Sequence, residues 1–447
     1  MIFGLHPILG FLPLVIYIIL SFMGWDVTLV LLLSVILGAV LTGTGLFAFG
    51  QAITSGLGSF LGMIGFIILL GAGVGEVLTA TKVAQYIVWL VMKKLGVNSL
   101  KRAILAVMAS SLIIVALLGS QAGGNAILAP IVIPIVAALG MTPSTLAVLL
   151  HGAGATGLFL GPFVPPVVTT LALTHISYFD YLLYTGIPVS VLIWIVTYFI
   201  AIRVQKNTQG KYAYTAEDIG VNEQDIVGSD GQPSFVNDQT KRAFSAFWIS
   251  MLALVIFGIM TKAGAAYVVT VMTVIAFLTG AVGGLSLEQS LKALVRGGTR
   301  MYWIFFMFIL YEPFLQFITK SGAFTWMTEW LTPYLQGAGK GLFLFISTTV
   351  GLVGIPGAAV AHEKIIHELF GAMAAGVGIP MYIWSVALLV GSQLNFFMFP
   401  TGDIIGQMGL ARSKDLPSMI KHGLSVTAVI MLYLVLISVL VHFGILN

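Results

Sequence analysis

Residues 146–173 read LAVLLHGAGATGLFLGPFVPPVVTTLAL, and this stretch decides the fold. An apolar run is interrupted by GPFVPP at residues 161–166 and then resumes. Because proline lacks an amide donor and clashes with the preceding turn, this segment cannot be one continuous helix. In a membrane, the carbonyl groups freed by such a break are tolerated only where protein or a water-filled cavity satisfies them. The stretch therefore predicts a membrane helix that is broken at a functional site.

The composition of the whole chain is that of an integral membrane protein. Of its 447 residues, 59% are hydrophobic and only 8% are charged, whereas soluble domains carry about 25% charged residues. This excludes a cytosolic enzyme, a nucleic-acid-binding protein and a disordered scaffold. The chain has no cysteine, which excludes disulfides and thiolate metal sites. The net charge of +4 is typical of basic cytoplasmic loops and does not indicate a nucleic-acid partner.

The apolar runs predict helices. They are continuous and near the length of about 20 residues that crosses a bilayer as a helix, whereas a barrel would show shorter alternating segments. The clearest runs are residues 12–22, 27–41, 104–118, 188–202, 251–260 and 426–441. The predicted fold class is therefore an all-α polytopic membrane protein.

A polar segment at residues 205–242 divides the chain into two apolar halves, 1–204 and 243–447. The halves align at an offset of about 238 residues, which indicates an internal repeat. The matching pairs are Gln51 with Gln289, Thr81-Lys82 with Thr319-Lys320, Gly119 with Gly357, Gly140 with Gly378, and Pro162 with Pro400.

Each half is predicted to contain about five transmembrane spans, one re-entrant hairpin and one broken helix. The hairpins are expected at about 101–140 and 341–378, and the broken helices at about 143–174 and 380–410. An odd number of spans inverts the second half relative to the first. With the 205–242 linker in the cytoplasm, nearly all Lys and Arg residues fall on the cytoplasmic side, as loop charge bias requires; the exceptions are Lys262, Lys320, Lys340 and Lys364. We expect this topology in the cytoplasmic (inner) membrane of a bacterium.

Inverted repeats with broken helices are typical of secondary transporters, whose site lies in mid-membrane between the halves. The hairpin tips and breaks combine glycine and proline with small polar side chains, which suits a solute or ion site. The predicted substrate-binding residues are Ser120, Gln121, Asn125, Pro162, Gly357, Ser392, Gln393, Asn395 and Thr401. Backbone carbonyls at such breaks can hold sodium, and the candidate positions are Ser120, Gly161, Pro400 and Gly402.

Ionisable residues at membrane depth are costly and usually functional. Asp403 follows the second break and is the leading candidate for binding a coupling cation or proton. Glu76 and Glu312 lie in the third span of each half, where they either couple ions or are solvated near the interface. His151 lies alone in a span, as a packing residue or a proton-linked group.

The second hairpin carries His362, Glu363, His367 and Glu368. The spacing His-Glu-x-x-x-His differs from the zinc-protease pattern. Histidines five residues apart lie roughly 140° apart on a helix and cannot jointly bind one metal. We therefore interpret His362 and Glu363 as parts of a buried polar network or a proton relay.

Several motifs resemble those of the ion transporter superfamily, and most of all the divalent anion/sodium symporters and the related citrate and dicarboxylate carriers. Ser120-Gln121-Ala122, followed by Ala129-Pro130-Ile131, takes the place of that family's Ser-Asn-Thr tip followed by Leu-Pro-Ile. The GPFVPP segment resembles the Thr-Pro-rich break of that family. Pro400-Thr401-Gly402 takes the corresponding place in the second half. The resemblance implies an elevator-like motion of the hairpins and broken helices against a homodimeric scaffold.

Three functions remain open from the sequence. The first is sodium- or proton-coupled symport of a small organic anion, with a carboxylate as substrate. The second is a sodium/proton antiporter in which Asp403, Glu312 or Glu76 binds the two cations alternately. The third is the large membrane subunit of a binding-protein-dependent carboxylate transporter. No enzyme is expected, since the sequence has no His-Glu-x-x-His, Gly-x-Ser-x-Gly or phosphate-loop motif, and no cofactor is expected besides Na⁺ as a coupling ion.

Overall fold

A computed structural model of the chain describes residues 6–215, 233–261, 263–352, 359–398 and 402–446. These residues form helices joined by short connections, and no strand occurs among them. Within this described part, nine helical segments are long and apolar enough to cross a membrane, and further apolar helices are shorter. The all-α polytopic fold is therefore confirmed.

The first half begins with a 3₁₀ turn at Pro7–Phe11. Its helices are α1 (Leu12–Phe22), α2 (Val27–Leu41), α3 (Leu46–Ser55), α4 (Phe60–Ala80), α5 (Val83–Lys94), α6 (Leu100–Leu118), α7 (Gln121–Ala138), α8 (Pro143–Leu160), α9 (Pro165–Thr174), α10 (Tyr178–Tyr181) and α11 (Ile187–Thr208). A π-helical turn at Leu182–Gly186 joins α10 to α11.

Ten helices lie in the described residues of the second half. They are α12 (Asp238–Thr261), α13 (Tyr267–Val282), α14 (Leu287–Thr299), α15 (Tyr302–Lys320), α16 (Ala323–Leu352), α17 (Ala359–Gly376), α18 (Met381–Gln393), α19 (Asn395–Met398), α20 (Gly402–Leu410) and α21 (Leu416–His442). Gly339 adopts φ 77° and ψ 160° and breaks α16, where the first half has the separate helices α5 and α6. The opposite membrane orientation of the two halves stays a prediction.

The first hairpin and the first break are both short. Gly119 takes the left-handed conformation, with φ 64°, directly after α6. Ser120 then caps α7, its hydroxyl accepting a hydrogen bond from the backbone NH of Gly123 at 3.1 Å. The break between α8 and α9 spans residues 161–164. The corresponding segments of the second half, 353–358 and 399–401, lie outside the described residues, and with them Gly357, Pro400 and Thr401.

The hairpin and broken helix of each half pack against those of the other. Helix α9 of the first half contacts α17 and α18 of the second, and α20 of the second half contacts α7 and α8 of the first. Gly161 permits a close approach to the first hairpin, because a Cβ atom there would lie 2.5 Å from the carbonyl oxygen of Ala116. Most of the predicted site residues that the structure describes therefore lie on or beside one interlocked group of helices, α7, α8, α9, α17, α18 and α20; Glu76 on α4 and Glu312 on α15 do not.

The predicted linker at 205–242 is helical at both ends. Helix α11 continues to Thr208 and α12 begins at Asp238, while residues 216–232 lie outside the described part. The hairpin arms α6 and α7 together span residues 100–138, close to the expected 101–140.

Candidate functional site

Two amide side chains tie the first hairpin to the broken helix. The Nε2 of Gln121 donates to the backbone carbonyls of Leu150 at 3.2 Å and His151 at 2.7 Å. The Nδ2 of Asn125 donates to the same Leu150 carbonyl at 2.9 Å and to Oε1 of Gln407 at 2.7 Å. Asn125 is 0% exposed, so its polar atoms are withdrawn from solvent. These two predicted substrate-binding residues hold α7, α8 and α20 together.

Glu363 occupies the equivalent position on the second hairpin. It is the fifth residue of α17, as Asn125 is the fifth residue of α7. Its side chain is 0% exposed, and its Oε1 forms a short hydrogen bond with the hydroxyl of Thr170 on α9. Its Oε2 has no hydrogen-bond partner in the described part of the chain. A fully buried carboxyl group is thus only half satisfied.

In the described part of the chain, no Lys or Arg side chain pairs with Glu363. Among the described residues of the six interlocked helices, the only Lys or Arg is Lys364. Its Nζ lies 3.2 Å from Oε2 of Glu312 on α15, and the two side chains are 16% and 17% exposed. Glu312 therefore has a cationic partner, and the neighbouring Glu363 does not.

Other buried polar atoms on these helices lack partners. Buried polar groups are normally hydrogen-bonded, so a concentration of unsatisfied ones calls for an explanation. Those without a hydrogen bond in the described residues are Ser144 Oγ, His151 Nδ1 and Nε2, Thr169 Oγ1, His362 Nδ1, Gln393 Oε1 and Gln407 Nε2, together with Asn395 Nδ2 on the adjoining α19. They include both donors and acceptors, which suits a site that binds a polar solute or an ion.

The remaining polar groups of the second hairpin have separate partners. His362 Nε2 lies 2.5 Å from the carbonyl oxygen of Gly351, which joins the two arms of the hairpin. His367 Nδ1 accepts from the indole NH of Trp384 at 3.2 Å. Glu368 is exposed. Because His362 and His367 contact different helices, the structure does not bring the four residues of the motif together.

His151 is one of two fully buried imidazoles, and the sequence analysis missed the other. The ring of His151 lies 5.8 Å from that of His422 on α21 and 4.9 Å from that of Phe397, measured between centroids. The Nε2 of His422 lies 3.0 Å from the hydroxyl of Thr197. His422 follows Lys421 at the start of an apolar run, so no local pattern indicates that it is buried.

Of the other predicted positions, Glu76 lies outside the interlocked helices, and the rest lie on these helices or between them. Glu76 is 13% exposed on its side chain and pairs with two arginines, Arg296 at 3.5 Å and Arg300 at 3.0 Å. It thus lies at the contact of α4 with α14, outside the interlocked helices. Asp403 and Gly402 begin α20, next to residues that are not described, and Pro162 lies partly exposed between α8 and α9. Ser392 donates to the Leu389 carbonyl at 3.4 Å within its own helix.

Comparison with known proteins bears on the fold. No family model matches the chain, and no curated protein matches it. Among solved structures it is similar to MtrF of Neisseria gonorrhoeae, reported as illuminating a class of antimetabolite efflux pumps. The two share 16% sequence identity with a TM-score of 0.63, over 99% of this chain and 96% of MtrF. The likeness gives no support to the narrower resemblance to divalent anion/sodium symporters, and it shows that the chain has a fold used by a membrane transporter.

Proposed function

We propose that this protein is a cation-coupled secondary active transporter in which Glu363 binds the coupling proton or sodium ion. The observation that carries the proposal is the fully buried Glu363 carboxyl group, which has one unsatisfied oxygen and no Lys or Arg partner among the described residues. The fold shared with MtrF, reported as an efflux pump, supports transport as the general activity.

The hydrogen bonds around Glu363 favour a bound cation or proton. The hydroxyl of Thr170 lies near both Glu363 and the carbonyl oxygen of Pro166, at 3.0 Å from the latter. A hydroxyl group has one proton, so it cannot donate to both acceptors at once. A proton on Glu363 would let the carboxyl group donate to Thr170, which then donates to Pro166. A sodium ion would instead neutralise the carboxylate. Either removes the large cost of an unpaired buried charge.

The proposed solute is a small organic anion, most simply a carboxylate, carried by symport. The N-termini of α7 and α9 lie at the first hairpin tip and the first break, and helix N-termini attract anions. We further propose elevator-type alternating access in a homodimer, with the 205–242 linker in the cytoplasm.

A sodium/proton antiporter is the second candidate. The observation in its favour is that Lys364 pairs with Glu312, which leaves the described residues of the interlocked helices with no basic side chain for an organic anion. In that case Glu363 alone would bind the two cations in turn.

The test uses purified protein in proteoliposomes with imposed sodium or pH gradients. Labelled mono-, di- and tricarboxylates are offered, with choline replacing sodium in parallel samples. Glu363→Gln should abolish gradient-driven uptake, because glutamine keeps the shape and cannot bind a cation by charge. Glu368→Gln, on the exposed side of the same helix, is the matched control and should retain uptake.

The same vesicles distinguish the two candidates. A change in internal pH on addition of sodium, without any organic solute, indicates antiport. Concentrative uptake that survives in Glu363→Gln would remove this residue from the mechanism.

A further inference from the structure

Helix α14 has three distinct faces. Ser290, Ala293 and Gly297 are buried against α4, and the helices touch closely, since a Cβ atom at Gly297 would lie 2.3 Å from the carbonyl oxygen of Ala72. The other two faces are uncovered in the described structure. Helix α14 begins with a capping box formed by Ser286 and Gln289. It is therefore a capped helix and not an irregular connection.

The uncovered faces differ in chemistry. Leu287, Leu291 and Val295 are 71%, 50% and 55% exposed, and at about 100° per residue they lie within roughly 80° of one another. Lys292 and Arg296 follow on the next part of the helix surface, with side chains 68% and 65% exposed. An exposed apolar stripe beside a basic stripe is typical of a helix that lies in the membrane interface.

The position of α14 in the chain agrees with a location in the membrane interface. It connects two apolar helices, α13 and α15, that are consecutive membrane elements. Two aromatic residues, Tyr302 and Trp303, are 68% and 44% exposed at the start of α15. Such residues are enriched at the headgroup level of a bilayer.

The basic face retains excess positive charge after its internal ion pairs are formed. Lys292 pairs with Glu288 at 2.5 Å. Arg296 and Arg300 share a single carboxylate, that of Glu76. Because a guanidinium has five donors, one contact with Glu76 does not use all the NH groups of either arginine, and both side chains are 65% exposed.

We propose that the exposed surface formed by Leu287, Leu291, Val295, Lys292, Arg296 and Arg300 binds the headgroup of an anionic phospholipid. The apolar stripe contacts the acyl chains, and the guanidinium groups donate to the lipid phosphate, for which arginine geometry is well suited. The anionic surface of the cytoplasmic leaflet attracts such basic segments.

A second copy of this chain fits the surface poorly. A two-fold interface places the same patch of both subunits face to face, which would bring Arg296 and Arg300 of one copy near those of the other. Helix α3, the repeat counterpart of α14, also has exposed apolar residues, Leu46 at 89% and Phe47 at 93%, and carries no charge at all. The basic residues therefore accompany only the member of the pair that is predicted to face the cytoplasm.

The test measures retained lipids by native mass spectrometry of the full chain, released from nanodiscs that contain equal amounts of phosphatidylglycerol and phosphatidylcholine with the same acyl chains. Lys292→Gln with Arg296→Gln keeps the pair of Arg300 with Glu76, so the fold is preserved. Phosphatidylglycerol retention should fall roughly five-fold per basic residue removed, with phosphatidylcholine unchanged. A second variant, Glu76→Gln with Arg296→Gln and Arg300→Gln, removes the ion pairs as a whole and should show the same selective loss.

The matched control is Lys94→Gln with Lys101→Gln, which removes two exposed basic residues elsewhere on the predicted cytoplasmic side and should leave phosphatidylglycerol retention unchanged. Equal retention in wild type and both α14 variants would overturn the proposal. So would a disulfide-linked dimer formed by Leu291→Cys in membranes, since that result assigns the surface to a second copy.

Discussion

Asn125 and Glu363 stand at the same point of two related hairpins and have different surroundings. Each is fully buried, and each hydrogen-bonds to the second arm of the broken helix in the other half: Asn125 to Gln407 on α20, and Glu363 to Thr170 on α9. The Asn125 amide is satisfied on both sides, because its Oδ1 also accepts from the hydroxyl of Ser111 at 2.7 Å. The Glu363 carboxyl group is satisfied on one side only.

The difference between Asn125 and Glu363 follows from the chemistry of their side chains at equivalent hairpin positions. An amide both donates and accepts, so it can close a network of neutral groups, whereas a carboxylate only accepts. The first hairpin is therefore tied in place by neutral hydrogen bonds. The second hairpin carries a carboxyl group, that of Glu363, whose Oε2 has no hydrogen-bond partner among the described residues.

The largest effect is expected when the first hairpin is made to resemble the second. Asn125→Asp removes the two donors that reach Leu150 and Gln407 and places a carboxylate against carbonyl oxygens. Leaving a buried charge unpaired is expected to lower the free energy of unfolding by about 3–5 kcal/mol. Unfolding in detergent micelles measures this loss. Asn98→Asp, at an exposed position, is the control, and an equal effect of both substitutions would refute the comparison.

A smaller effect is expected when the partner of Glu363 is removed. Thr170→Val deletes the hydroxyl that bonds to the carboxyl group and should cost about 1–3 kcal/mol. The neighbouring Thr169 has a hydroxyl with no partner in the described residues, so Thr169→Val should be neutral or slightly stabilising. Unfolding of both variants in detergent micelles tests this expectation. A larger loss of stability in Thr169→Val than in Thr170→Val would show that the hydrogen bond to Glu363 does not stabilise the fold.

The contact between Asn125 and Gln407 is expected to be worth about 1 kcal/mol. A double-mutant cycle with Asn125→Leu and Gln407→Met isolates this pairwise energy from the cost of each single change. Additive single effects would mean that the two halves are not coupled through this bond.

The smallest effect on transport is expected at Lys364. Its ammonium group pairs with Glu312 rather than with Glu363, so Lys364→Met should leave gradient-driven uptake intact. Uptake assays in proteoliposomes, alongside Glu363→Gln, provide the check. Loss of coupling in Lys364→Met would show that the lysine serves Glu363 after all.

The first break and the first hairpin tip have local sequence signals. GPFVPP cannot be helical, and α8 ends at Leu160, directly before it. Gly119 and Ser120 were predicted as a tip, and a left-handed glycine and a capping serine lie there. The internal repeat also guided the assignment, since α7 and α17 begin at corresponding residues.

The sequence is a weaker guide to the surroundings of the acidic residues than to the positions of the helices. The sequence ranked Asp403 first because it follows a proline break and placed Glu363 among the other candidates; Asp403 stays a prediction, and the proposed function rests on the burial and unsatisfied oxygen of Glu363. Glu76 and Glu312 looked like isolated carboxylates in spans, yet both have cationic partners on other helices. Ion pairs of this kind join residues that are far apart in the chain, and no local pattern reveals them.

The amino-acid sequence by itself determined that the chain is an all-α membrane protein with helices broken at fixed points, because hydrophobic length and proline chemistry act within a few residues. Only the tertiary structure decided which polar groups are satisfied. The bonds of Asn125 with Gln407 and of Glu363 with Thr170 span 282 and 193 residues, and burial depends on every helix packed around them. Those contacts distinguish the Glu363 carboxyl group, with no Lys or Arg partner among the described residues, from the Glu76 and Glu312 carboxylates, which pair with Arg and Lys side chains.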